Sequence, residues 1–125
     1  MCTRVGIDGA DGSERTADEP VARLEPAELG VEVLGERATM VHFSTACYAP
    51  CRQTRQTLAQ VSQTVEGVAH VEIDAESHLD LVRELGVRRT PTVLLLDSNG
   101  RILTRASGPL RTADVRAVLA AVVAS

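Results

Sequence analysis

The sequence contains no lysine and no tryptophan, and Phe43 and Tyr48 are its only large aromatics among 125 residues. All 13 basic side chains are therefore arginine, which together with abundant Ala and Val points to a GC-rich coding bias more than to a selected site. No apolar run approaches the roughly 20 residues that a membrane-spanning helix needs. Residues 1–20 are too polar to hold the apolar core of a signal peptide. A formal net charge of −4 argues against nucleic acid as the main partner. Cysteine is scarce too: Cys2, Cys47 and Cys51 are too few for a disulfide-stapled scaffold, and a chain of this length builds a core without staples. The cysteines are thus better read as chemical than as architectural.

What is present is an ordinary globular balance, 44% hydrophobic and 24% charged, on a chain sized for one domain. Charge is unevenly spread. Residues 1–36 carry nine acids against three arginines, and residues 37–125 carry eight acids against ten. Residues 1–21, rich in Asp, Glu, Gly and Ser with no hydrophobic period, read as a disordered acidic tail, and residues 22–125 as the folded domain.

Within that domain the pattern alternates. Pro26 to Leu34 reads as a short helix with proline in its first turn. Thr39 to Phe43 is β-branched and apolar, a strand. Pro50 to about Val65 places Leu58, Val61 and Val65 at helical spacing, with Gly67 beyond its end. Val68 to Ile73 returns to strand character. Ser77 opens a short helix with Leu79, Val82 and Leu85 inward, closed by Gly86. Thr92 to Leu96 is a continuous apolar run, as in a buried strand. Asp97-Ser98-Asn99-Gly100 signals a hairpin, with Ile102 to Ser107 as the returning strand. Thr112 caps a last helix with Val115, Val118, Leu119 and Val122 on one face. Helical crossovers between the early strands imply parallel pairing, and the tight turn makes the last two antiparallel. The expected fold class is α/β, a central mixed β-sheet flanked by helices on both faces.

The segment Val41-His42-Phe43-Ser44-Thr45-Ala46-Cys47-Tyr48-Ala49-Pro50-Cys51-Arg52 leaves a strand and enters a helix within a few residues. Cysteine at a helix N-terminus gains thiolate stabilisation from unpaired backbone N–H groups and the helix dipole. Here, and in Arg89-Thr90-Pro91-Thr92-Val93-Leu94-Leu95-Leu96, the chain resembles the thioredoxin family over roughly residues 22–124. Asn99-Gly100 and Gly108 match the family's hairpin and following glycine. The likeness is greatest to actinobacterial thioredoxin-like proteins with a Phe-Cys-Ala-Pro-Cys-type motif, some of which carry an N-terminal membrane anchor. The resemblance implies the thioredoxin fold, a cis bond before Pro91, and exchange with protein thiols and disulfides. It also implies a recycling reductase, a monomer, no cofactor and no resident metal.

The motif departs from the family. Pro50 and the spacing from Phe43 set the register, so Cys51 matches the resolving cysteine and Tyr48 stands where the nucleophile belongs. Cys47 lies one place earlier, and the usual C-x-x-C has become C-x-x-x-C. Three consequences stay open. Cys47 acts as a displaced nucleophile and pairs with Cys51; Cys51 works alone through mixed disulfides; or catalysis is lost and a binding module remains. His42 stands where the family has a buried acid, and His70 where a lysine often pairs with it. The resemblance therefore casts His42 as a base for Cys51, against a structural alternative of a core histidine bonded to a carbonyl. His70 is read as a partly exposed strand residue, and His78 as a polar residue in a first helical turn. Tyr48, Pro50, Thr90 and Pro91 are the expected substrate-binding residues, the backbone before Pro91 pairing with extended substrate. Arg52 adds positive potential or is merely solvated. Cys2 is read as an incidental thiol.

C-x-x-x-C on such a fold is also similar to Sco-type copper chaperones, and thiolates favour Cu(I). Arg52, however, stands where those proteins place a proline, and none of His42, His70 or His78 is singled out as their distant ligand. The expected compartment is cytoplasmic, or membrane-anchored or extracytoplasmic if the N-terminus is truncated.

Overall fold

A computed structural model describes residues 23–46, 48–108 and 110–123. The expectations for the tail, for Cys2 and for Cys47 lie outside these described residues. The elements are β1 (Ala38–Ser44), α1 (Ala49–Thr64), β2 (Val68–Asp74), α2 (Leu79–Leu85), β3 (Thr92–Asp97), β4 (Ile102–Ser107) and α3 (Thr112–Val123). They build one four-stranded sheet in the order β2-β1-β3-β4. β1 is buried along its whole length because it lies in the interior of the sheet with elements packed on both faces.

Period-two alternation sorts its side chains. Val41 and Phe43 join Leu24, Leu29, Ile73, Leu81, Leu85, Leu94 and Leu96 on the face covered by α2. Ala38 and Met40 join Leu58 and Val61 of α1, Val93 and Leu95 of β3, and Leu119 of α3 on the other. His42 follows Met40 by two residues and so faces α1. With few aromatics available the core is mostly aliphatic, each fully buried Leu or Val contributing about 1.5–3 kcal/mol.

Several expectations are corrected. Only β1 and β2 pair in parallel; β3 is antiparallel to β1, with Phe43 opposite Thr92 and Ala38 opposite Asp97. The reason is the connection. β2 ends at Asp74 beside Ser44, and β3 begins beside Phe43, so both lie at the same end of the sheet. The seven residues of α2 rise only about 10 Å, too little to carry the chain back along strands of about 23 Å. A strand entering at that end must run the opposite way.

The helix expected over residues 26–34 is a single 3-10 turn, Pro26–Leu29, ended by Gly30 in the left-handed conformation. In α2, Leu81 and Leu85 are buried and Val82 packs against the same core, as Leu85 and Val82 are expected to, while Leu79, the first residue of the helix, is exposed. Arg111, not Thr112, precedes α3, and its carbonyl accepts the first helical bonds from Asp114 and Val115. Val118 is 44% exposed, whereas Val115, Leu119 and Val122 pack inward. The hairpin turn forms as expected. Its Asp97 carboxylate accepts from the N–H groups of Asn99 and Arg101, and Gly100 takes a φ of 88°.

Candidate functional site

Cys51 occupies the third position of α1. Tyr48 is the residue preceding the helix, and the Tyr48 carbonyl accepts from the N–H groups of Cys51 and Arg52. Pro50 fits in the first turn because a residue there needs no donor. Every third or fourth residue of α1 then faces the sheet: Cys51, Thr54, Leu58 and Val61 are buried. The Cys51 thiol is free and fully buried, and its Sγ accepts the Thr45 backbone N–H at 3.4 Å.

Thr45 also ties the cysteine loop to the proline turn. Its hydroxyl lies 2.7 Å from the Thr90 hydroxyl. The Thr90–Pro91 bond is cis, as the resemblance implies, and the Pro91 carbonyl accepts from Gly108 N–H at 2.8 Å. Thr92, next along, donates its hydroxyl to the Arg89 carbonyl. The structure therefore brings together Cys51, Tyr48, Pro50, Thr90 and Pro91 of the expected site. Tyr48 is half exposed, Pro50 and Thr90 are half-buried, and Pro91 is buried.

Behind Cys51 lies a polar layer between α1 and the first two strands. His42 is fully buried, and neither of its ring nitrogens has a hydrogen-bond partner. The core-histidine alternative, in which a carbonyl satisfies His42, is therefore not what forms. His70 stacks on it, with ring centroids 6.1 Å apart, and its Nε2 is also unpartnered. Burial pushes His42 down to about 4, and burial lowers His70 as well, so both imidazoles are neutral at pH 7. Glu72, opposite His42 on β2, accepts two hydrogen bonds from the Arg55 guanidinium at 2.6 and 2.7 Å and a third from the Ser44 hydroxyl at 2.7 Å. Those bonds, Arg55 foremost, hold its carboxyl down to about 2.

Sequence reasoning did not find Arg55, Glu72, Ser44 or Thr54. One signal was available: His70, Glu72 and Asp74 alternate on the β2 face that turns toward α1, where apolar residues are expected. Thr54 was signalled only by its place one turn after Cys51. His78 sits just before α2, and its Nδ1 lies 3.1 Å from the Asp74 carbonyl. Among the described residues no group of three or more His, Cys, Asp or Glu side chains is placed to hold a metal ion. Nor is any described helix long and apolar enough to cross a membrane.

A thioredoxin-like domain profile matches residues 31–123. The chain belongs to the thioredoxin-like family. Its sequence is 34% identical over 68 residues to human thioredoxin domain-containing protein 2, and 30% identical over 79 residues to protein disulfide-isomerase like 2-2 of Arabidopsis thaliana. Those alignments cover 54% and 62% of this chain but span only 12% and 18% of the two relatives. Among solved structures, chloroplastic thioredoxin z is 24% identical with a TM-score of 0.65, covering 72% of this chain and 81% of that one. Thioredoxin-2 of a malaria parasite is 16% identical with a TM-score of 0.67, covering 83% and 97%. These likenesses establish the thioredoxin fold.

Proposed function

We propose that this thioredoxin-like domain is a thiol–disulfide oxidoreductase acting on protein disulfides, with Cys47 as the attacking thiol and Cys51 as the resolving one. The observation that carries the proposal is the placing of Cys51. It is sealed from solvent, bonded by the Thr45 amide, and joined through Thr45 and Thr90 to the cis-proline turn. A sealed thiol cannot meet a protein disulfide first, so its burial supports the resolving role over a Cys51 that works alone.

In the first step the Cys47 thiolate attacks one substrate sulfur. A Cys47–substrate disulfide forms, the substrate disulfide breaks, and the departing sulfur takes a proton from water. Cys51, deprotonated, then attacks the Cys47 sulfur. The Cys47–Cys51 bond forms, the second substrate sulfur leaves and is protonated, and two electrons have passed to the substrate. An external dithiol, or a reductase presenting one, reverses the change in the enzyme. His42 is neutral and partnerless on the face that Cys51 also occupies, which suits it to accept the Cys51 proton, directly or through water. Because its pKa is held near 4, it passes the proton on and does not store it.

Thr90 and Pro91 offer extended backbone to the substrate, and Tyr48 and Pro50 form the adjoining rim. Tyr48 favours the second reading, a binding module without chemistry, because it is 48% exposed at the position where the family's nucleophile sits. A thiol count separates the two. In a Cys2→Ser background, the redox reading predicts that a dithiol buffer interconverts forms differing by two titratable thiols, with catalysed reduction of insulin. No such change in any redox buffer, with activity appearing only in Tyr48→Cys, establishes the binding module instead.

A further inference from the structure

Three chain segments meet at the thiol, and their charge is one-sided. Residues 44–56, 86–96 and 104–112 contain six arginines, at positions 52, 55, 88, 89, 105 and 111, and no acid at all. They converge through bonds already described: Thr45 to Cys51, Thr45 to Thr90, and Gly108 to Pro91. Three of the six are occupied. Arg55 is engaged by Glu72, Arg105 donates to the carbonyls of Leu85 and Gly86, and Arg111 lies 3.9 Å from Asp114.

Arg52, Arg88 and Arg89 are exposed, and their guanidinium groups have no ion pair or hydrogen bond among the described residues. Arg52 follows Cys51 directly in α1, and Arg89 adjoins Thr90, whose hydroxyl meets that of Thr45 beside the thiol. At the same end of the sheet Asp74, the last residue of β2, and Glu76 just after it lie on the side of β1 away from β3. Asp74 is moreover turned inward to Glu76 N–H and the Ser77 hydroxyl. A cationic rim on a chain of net charge −4 is a local feature and not a consequence of composition.

We propose that the site selects disulfides flanked by carboxylates, with Arg52, Arg88 and Arg89 as the selecting residues. The inference rests on the thiol-exchange reading and names its substrate class. Guanidinium groups pair with carboxylates through two parallel N–H bonds, and unpaired arginines at the mouth of a site raise the encounter rate of anionic partners. A disulfide flanked by Lys or Arg meets the same rim as repulsion.

The test uses the reduced full chain and two peptide disulfides of equal length, one with Glu and one with Lys on both sides of the disulfide. The inference predicts that the Glu peptide oxidises the protein at least about tenfold faster at about 0.01 M salt, and that the ratio collapses at about 1 M, where the Debye length falls to about 3 Å. In the triple variant Arg52→Gln, Arg88→Gln, Arg89→Gln the ratio falls to near one. Equal rates in the wild type, or a ratio that survives the triple variant, overturn it. Oxidised glutathione as a third arm separates sources: a rate matching the Glu peptide assigns the carboxylates to a small thiol, and a much slower one to an acidic protein segment. Both uphold the selection. If no disulfide reacts, the thiol reading fails by itself. The charge selection is then read from binding of the same peptides with serine for cysteine, where tighter binding of the Glu peptide upholds it and equal binding overturns it.

Discussion

The rings of His42 and His70 stack 6.1 Å apart on the face of β1 and β2 that α1 covers, and His42 has no hydrogen-bond partner for either nitrogen. Burial disfavours the charged ring, which is why His42 is held neutral down to about pH 4. In the unfolded chain the same imidazole titrates near its ordinary 6.5. Between those values the unfolded state binds more protons than the folded one. Stability is therefore complete above about pH 6.5, declines as pH falls, and has lost the His42 contribution below about pH 4. The loss is on the order of 3 kcal/mol, and the lowered His70 adds to it in the same direction. Urea midpoints at pH 7.5 and 4.5 measure it. His42→Leu, which removes the titrating group together with its two unpaired ring nitrogens, makes the profile shallower in this window and leaves the smaller His70 contribution.

Glu72 carries the next loss at lower pH. Its carboxyl is held near 2 by Arg55 and Ser44 and titrates near 4.5 when unfolded, so its contribution is present above about pH 4.5 and disappears as pH falls toward 2. The pair is partly open to solvent, which limits its worth. Glu72→Gln costs about 0.5–1 kcal/mol at pH 7 and removes the acid-side decline in the same denaturation series.

Much of this molecule is legible in its sequence, for local reasons. The apolar run of Thr92–Leu96, the Asp97–Gly100 turn and the glycine after Leu85 each act within a few residues, and each forms where expected. The sense of β3 against β1 is not local. It depends on how far a seven-residue helix carries the chain, and a crossover pattern alone does not report that. The rotation of α2 was equally ambiguous, since Leu79, Leu81, Val82 and Leu85 are all apolar within two turns. At the site, Cys51, Thr90 and Pro91 were found through their resemblance to family motifs. Arg55 and Glu72 looked like ordinary surface charges, because 17 positions of sequence separate two residues that the α1–β2 packing joins.

The Thr45–Thr90 hydroxyl contact predicts a separation of stability from reactivity. Thr90→Val removes one partner while the Thr45 hydroxyl, half-buried, regains water, so the stability loss is about 1 kcal/mol or less. The loop that holds Cys51 loses its tether to the proline turn. Exchange with a protein disulfide slows by several-fold, measured as insulin reduction beside a thermal melt, and Thr90→Ser restores it.

Gly100 predicts a purely structural defect. Its φ is 88°, and a Cβ there would lie 2.2 Å from the Leu24 carbonyl oxygen, whose residue donates its N–H to the Gly100 carbonyl. Gly100→Ala costs about 2–4 kcal/mol. It lowers Tm at the end of the sheet remote from Cys51, and the thiol exchange rate of the remaining folded protein is unchanged.

The order of the two thiols is tested most directly by trapping. A Cys2→Ser, Cys51→Ser variant mixed with a protein disulfide retains the attacking thiol and lacks the resolving one. The account predicts a covalent adduct that accumulates on Cys47 and is released by dithiol, whereas the chain with both cysteines cycles through without accumulating it. An adduct that forms instead on Cys51 in the Cys2→Ser, Cys47→Ser variant, with none on Cys47, contradicts it.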